Sequence, residues 1–484
     1  MRHTSKFAVI LQIATLGLSL ACAAQEPPMD MSQQQHMHHH GNIQPIEPVY
    51  PRLGRSQEQS ANKLFTLEDS LRIAAESNPT LLQAQAEIRA VKARAQQAAL
   101  YPNPSVGYTG DEIRGGSING GKQGFFVEQS IVTAGKLAKA RTVFDREMRV
   151  AELNAEAQKT RVETSVKIAF YRVLAAQELL ELRRGLSQIA LQYQQSQQDL
   201  VRTGQVDESE LLETGIDAQR LQLAVIEQEG MLGEAWRRLA AFIGQPDLPP
   251  SPVAGDLEHG WPELDEPEIL QVIATQSPLT RAAGAASARA SAEITRAQSQ
   301  VVPDINLLGG LEYNNEPLGS VPHAIGWEGI AELSVQIPIF NRNQGNIASA
   351  RAELDRSQLE EQRIQLMLRE RAASLLDQYS TSKIVAGQYR DEILPRAKQA
   401  NTLITEKYGQ MLAAYPRMLE VRRKHFQLAA EYVQILESLW TTGAALQGFL
   451  LTDGLESPVS SPSPQTDVAL PERMGMPLEE QPLP

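Results

Sequence analysis

At 484 residues the chain is long enough to bury one large core or two ordinary ones. Its 58 acidic against 45 basic side chains give a net charge of −13, which argues against a nucleic-acid partner and suits a path for cations. Cys22 is the only cysteine, so a disulfide within the chain is excluded.

Arg2 and Lys6, an apolar run from Phe7 to Leu20 and small residues around Ala21-Cys22-Ala23 read as a secretory signal over residues 1–21. Cys22 sits as in a bacterial lipoprotein cleavage site, with Ser19 standing where a branched aliphatic residue is usual. Two readings stay open: a lipid anchor on Cys22, or a cut after Ala23 or Ala24 that discards it. Losing Arg2 and Lys6 takes the net charge from −13 to −15. No later stretch approaches the roughly 18–20 apolar residues of a spanning helix, so any membrane crossing falls to a β-barrel.

Residues 22–62 form a linker rich in Pro, Gln and Gly, without periodicity. It carries Met29, Met31, His36, Met37, His38, His39 and His40. Thioether and imidazole suit copper(I) or silver(I), and imidazole alone suits zinc. A low-complexity tether that binds metal incidentally is the competing reading. At the far end, residues 452–484 read as a disordered tail, with seven of the chain's 28 prolines after residue 456.

Between linker and tail the chain repeats itself, over 63–254 and again over 255–451. L-x-I-A-A-E-S-N-P (Leu71 to Pro79) returns as L-x-V-I-A-T-Q-S-P (Leu270 to Pro278), and G-K-L-A-K-A-R from Gly135 returns as G-N-I-A-S-A-R from Gly345. R-T-G-Q before L-L-E returns as K-Y-G-Q before M-L-E. Two such copies suit a pseudo-symmetric unit that closes into a ring with other subunits.

Each copy contains two strand-like segments. In 104–113, Val106 and Tyr108 stand opposite Thr109 and Asp111; in 123–132, Phe125, Val127 and Ile131 share a face. In 303–313 the face is Ile305, Leu307, Leu311 and Tyr313, and in 331–339 it is Ala331, Leu333, Val335, Ile337 and Ile339. The lengths fit tilted transmembrane strands, although alternation alone is equally a half-buried soluble sheet. Four strands cannot close a barrel, so they must combine with other chains or pack on something else.

The helices are long. No proline interrupts the chain between Gly135 and Pro246, and the plausible break at Arg202-Thr203-Gly204-Gln205 leaves a helix of about 65 residues, on the order of 100 Å. Leu182, Leu186, Ile189, Tyr193, Ser196 and Leu200 follow coiled-coil spacing, as do Met418, Val421, His425, Leu428, Tyr432, Ile435 and Leu439. His425 reads as a packed seam residue rather than a metal ligand. Pro395 predicts a kink, because the periodicity resumes beyond it.

The order of these motifs, taken twice, resembles the TolC outer-membrane efflux family. The turns G-Q-V-D-E-S-E-L-L-E and Y-G-Q-M-L-A-A-Y-P-R-M-L-E are most similar to its heavy-metal branch, the CzcC and CusC type. The resemblance implies a mostly α fold with a β-barrel portion. Each repeat would give two transmembrane strands and a coiled-coil hairpin, and a homotrimer would complete a 12-stranded barrel in the outer-membrane lipid. It implies a passive conduit, without cofactor or catalysis, joined through a periplasmic adaptor to an inner-membrane pump of the RND type. Copper and silver, or zinc, cobalt and cadmium, are the expected substrates.

Gly204 and Gly409 fall where the family places a glycine at each periplasmic tip, where it lets an adaptor approach the backbone; it also simply permits a turn. Arg202, Gln205, Tyr408 and Gln410 would line that contact. Asp207, Glu208 and Glu210 could ring the entrance or stabilise a helix N-terminus. Tyr415 and Pro416 stand where some members carry acids, so the resemblance does not by itself imply a second acidic ring. The rival readings are a periplasmic coiled-coil adaptor or structural protein, and a metal-binding lipoprotein using the Met29–His40 tract. The sequence carries no G-x-S-x-G, H-E-x-x-H or Walker-type loop.

Overall fold

A computed structural model describes residues 65–113, 121–317, 323–410 and 412–458. Cys22, the Met29–His40 tract and the expected signal peptide lie outside the described residues.

The first repeat opens with α1 (Leu67–Ser77) and α2 (Pro79–Ala98), and the second with α5 (Glu266–Gln276) and α6 (Pro278–Ser299). The recurring N-P and S-P dipeptides are helix starts. Asn78 Oδ1 accepts from Thr80 N–H at 2.9 Å, and Ser277 Oγ accepts from Leu279 N–H at 3.3 Å. Each following proline fills the first helical position, where its missing N–H costs nothing.

Then come β1 (Ser105–Asp111) and β2 (Lys122–Ile131), followed by α3 (Lys136–Arg202) and α4 (Glu208–Ile243). The second repeat supplies β3 (Ile305–Pro317), β4 (Ala324–Val335) and α7 (Gln344–Gln388). A π-helical turn (Tyr389–Ile393) leads into α8 (Leu394–Gly409), and α9 (Tyr415–Gln447) closes the repeat. At 67 residues α3 spans about 100 Å, the expected uninterrupted rod.

The π turn is the expected kink with its cause visible. Pro395 has no N–H to donate to the preceding turn, and its ring crowds the carbonyl four residues back. The backbone widens just before it, so that Leu394 N–H bonds to the Tyr389 carbonyl, five residues earlier.

α4 and α2 meet end to end alongside α3. Asn78 Nδ2 donates to the Phe242 carbonyl at 2.8 Å, and Gly244 turns the chain at φ +85°. A Cβ at Gly244 would stand 2.6 Å from the Ser77 carbonyl oxygen, so only glycine fits. Across the helices, α3 packs on α4, α2, α9 and α6, and α7 packs on α6 and α9. The core sits at mid-length, where Val166, Phe170 and Val173 of α3 meet Trp236 and Leu239 of α4, Leu368 and Leu376 of α7, and Leu436 and Leu439 of α9.

Three expectations need correction. β4 begins at Ala324 rather than 331 and ends at Val335, leaving Ile337 and Ile339 beyond it. Gly326 and Gly329 blank the alternation in its first half, and its partner β3 has no residue left to pair past Ile305. In α3 the buried line runs through Ser187, Ala190, Tyr193 and Gln197, while Leu186 and Ile189 are half-buried and Ser196 is exposed. Small residues let the neighbouring backbone approach closely, which decides the seam against the leucines. Residues 452–458 are held, not loose. Gly454 N–H donates to Ser165 Oγ at 2.9 Å, and its carbonyl accepts from Thr80 Oγ1 at 3.1 Å.

Candidate functional site

The four strands form one antiparallel sheet in the order β1-β2-β3-β4. Tyr108, Phe125 and Leu311 stand in register, as do Val106 and Val127, while Leu307 pairs with Leu333 and Tyr313 with Trp327. All of these lie on one face, and all are exposed. From Ile305 to Tyr313 that face runs about 27 Å along the strand, close to the height of the apolar band of a membrane barrel. A half-buried soluble sheet would turn this face to a core; here no described helix covers it.

The opposite face is charged. Asp111, Glu128, Glu312, Glu328 and Glu332 share it with Lys122, whose ammonium is 3.5 Å from Glu328 and 3.9 Å from Glu312. Within the chain β1 and β4 are edge strands with no further partner among the described residues. No described helix is long and apolar enough to cross a membrane.

At the other end of the long helices lie the tips. Gly204 closes the first at φ +71°, in the left-handed region. Gln205 N–H bonds to the Leu200 carbonyl at 2.9 Å and Gly204 N–H to the Val201 carbonyl at 3.0 Å, the paired bonds of a Schellman end. The second tip is shifted. There the long-range bond joins Leu412 N–H to the Lys407 carbonyl at 2.8 Å, and Gly409 is the last residue of α8 with no positive φ. The turn therefore requires Gly204 and does not require Gly409. A Cβ at Gly409 would meet nothing within 4 Å of the chain itself. Gly345 differs from Gly135 in the same way: Gly135 caps α3 at φ +65°, while Asn343 takes the left-handed position before α7.

Arg202, Gly204, Gln205, Tyr408, Gly409 and Gln410 are all exposed around the two tips. Asp207, Glu208 and Glu210 are exposed too, with Asp207 preceding α4 and the glutamates in its first turn, where the helix dipole favours negative charge. The first turn of α9 carries no acid. Beneath the tips, burial pushes the Tyr193 hydroxyl above its ordinary range; Gln197 draws it down, and nearby Glu210 and Tyr408 raise it further. Tyr193 thus has one neighbour from each hairpin.

Two residues escaped the sequence reading. Arg423 of α9 reaches Asp217 of α4 at 3.1 Å and bonds one hairpin to the other. Nothing in either local sequence signals a partner 206 positions away. His425 is half-buried on the α9 seam beside Phe426, and burial, then Lys398, hold its imidazole below the ordinary range. Among the described residues no group of three or more His, Cys, Asp or Glu is placed to hold a metal ion.

An open sheet with an apolar outer face, carried on helical hairpins in two unequal copies, defines a subunit of the efflux-channel class. The family model described as outer membrane efflux protein matches residues 71–245 and 269–450, and the chain belongs to that family. It is similar to the cobalt-zinc-cadmium resistance protein CzcC of Cupriavidus metallidurans, with 25% identity over 403 residues that cover 83% of this chain and 92% of that one. Its fold matches a crystal structure of CusC with a TM-score of 0.64 at 17% identity, over 85% of this chain and 98% of that one. It also matches the open-state MtrE outer membrane channel of Neisseria gonorrhoeae, with a TM-score of 0.62 at 18% identity over 81% and 90% of the two chains.

Proposed function

We propose that three copies of this chain form an outer-membrane conduit that exports heavy-metal cations delivered by a periplasmic adaptor and an inner-membrane pump of the RND type. The observation that carries the reading is the sheet. Burying a large apolar side chain is worth roughly 1.5–3 kcal/mol, so a face holding Val106, Phe125, Leu311, Trp327 and Leu333 belongs in lipid rather than water. Two bare edges favour joining β4 of one copy to β1 of the next, which closes twelve strands with the charged face inward.

The carboxylates on that inner face suit cations, and similarity to a cobalt-zinc-cadmium resistance protein favours metals over organic drugs. The conduit does no chemistry. Gly204, Gly409 and the side chains around them would receive the adaptor, whose binding favours a dilated state of the tips. We further propose that Cys22 is lipidated and that the Met29–His40 tract is dispensable for conduction.

Fractionation tests the reading directly. A heat-resistant trimer extracted from the outer membrane by detergent is expected; a soluble periplasmic monomer would point to an adaptor or structural protein instead. Loss of the chain should sensitise cells to copper, silver, zinc, cobalt or cadmium. Sensitivity to drugs alone would contradict the proposed substrate.

A further inference from the structure

The apolar surface of the sheet does not end with the strands. Beyond Val335 the chain turns through an Ile339 N–H to Ile337 carbonyl bond of 3.0 Å. It then presents Ile337 at 74%, Ile339 at 61% and Phe340 at 90% exposure. Tyr101, just ahead of β1 at the same helix-side end, is 67% exposed. These exposed side chains follow directly on Leu333 and Val335 of the outward face and extend the apolar surface past the end of β4.

Two basic residues belong to the same helix-side end: Arg342 follows Phe340 by two residues, and Lys139 lies in the first turn of α3. Among the described residues, neither charged group has a carboxylate within ion-pair reach. Their neighbours differ: Lys136 is held by Asp304 at 2.8 Å and Arg141 by Asp145 at 3.6 Å. If a second copy covered the collar, it would bring the segment leading into its free edge β1. That segment, residues 99–104, contains no acid to pair with them. An exposed apolar collar with cations at the same end matches the boundary of a bilayer, where apolar side chains meet acyl chains and long basic ones reach phosphate.

We infer that this collar binds anionic phospholipid in the leaflet on the helix side, with Tyr101, Ile337, Ile339 and Phe340 at the acyl boundary and Lys139 and Arg342 on headgroup phosphates. The inference rests on the membrane reading of the sheet given above. It adds a lipid preference that a barrel alone does not require.

Quenching by brominated lipid separates the two claims. The full chain carrying Trp327→Phe and Phe340→Trp is reconstituted in vesicles of phosphatidylglycerol and phosphatidylcholine, with bromine on one lipid or the other. The introduced indole should be quenched by both, with local enrichment of phosphatidylglycerol of about fivefold per cation. Adding Lys139→Gln and Arg342→Gln should bring the two lipids level while quenching persists. Equal quenching before those changes overturns the lipid preference. No quenching at this position, while native Trp327 in the unaltered chain is quenched, means a neighbouring copy covers the collar and overturns the inference. If native Trp327 is itself unquenched, the membrane reading of the sheet fails instead.

Discussion

Lys136 Nζ lies 2.8 Å from Asp304 Oδ1, so the first residue of α3 in one repeat is tied to the residue ahead of β3 in the other. Asp304 Oδ1 also accepts from Thr133 N–H at 2.9 Å. The Lys136 side chain is only 8% exposed. Removing the carboxylate would strand a buried charge, at a cost of about 3 kcal/mol. Asp304→Ala should therefore lower the unfolding midpoint of the detergent-purified protein by several degrees. Asp304→Asn, which keeps an acceptor for Thr133, should lose less. Equal, negligible losses would mean that the junction is held by something else.

The two tip glycines should behave differently on substitution. Gly204→Ala forces a Cβ into left-handed backbone and should cost about 1 kcal/mol. Gly409→Ala lies at a helix end with open space around it and should leave stability unchanged or raise it by up to about 1 kcal/mol. If the adaptor contacts both tips, metal resistance should fall in both variants. A fully active Gly409→Ala chain would remove Gly409 from that contact.

His425 gives the second hairpin a pH dependence. Burial, then Lys398, hold its imidazole below the ordinary value of 6.5, so the folded state favours the neutral ring. The stability this confers is whole above 6.5 and is lost as the pH falls from there toward the folded value. Unfolding midpoints measured at several pH values between about 8 and 5 should show this loss, and His425→Leu should remove its share of it. An identical profile in the variant would show that the acid response arises elsewhere.

The charged face of the sheet predicts selectivity. If Glu312 and Glu328 line the proposed barrel, changing both to Gln removes the two carboxylates nearest the Lys122 ammonium and should lower the cation-to-anion permeability ratio severalfold. Reversal potentials across planar bilayers under a salt gradient measure it. A ratio that does not move would place this face away from the ion path.

Much of this molecule is written locally. The proline-free chain between Gly135 and Gly204 becomes a single long helix, because nothing in it removes a backbone donor. Asn78-Pro79 and Ser277-Pro278 set helix starts by capping chemistry that needs no distant partner. Alternation in the strands fixed which side chains share a face, since successive residues point to opposite sides.

What the local pattern could not settle was contact between distant segments. Spacing favours the leucines of α3 as the seam, yet Ser187 and Ala190 are buried, because close approach depends on the neighbouring helix as well as on hydrophobicity. Gly204 and Gly409 look equivalent in the sequence, but the Leu412 to Lys407 bond closes the second turn beyond Gly409. The Arg423 to Asp217 bond and the binding of Gly454 against α2 and α3 join residues hundreds of positions apart. The sequence by itself determined the elements, their repeat and the polarity of each strand face, all properties of neighbouring residues. Only the tertiary structure decided which faces stay uncovered and which residues of the two unequal tips make the turn, because burial and long-range hydrogen bonds depend on where remote parts of the chain come to rest.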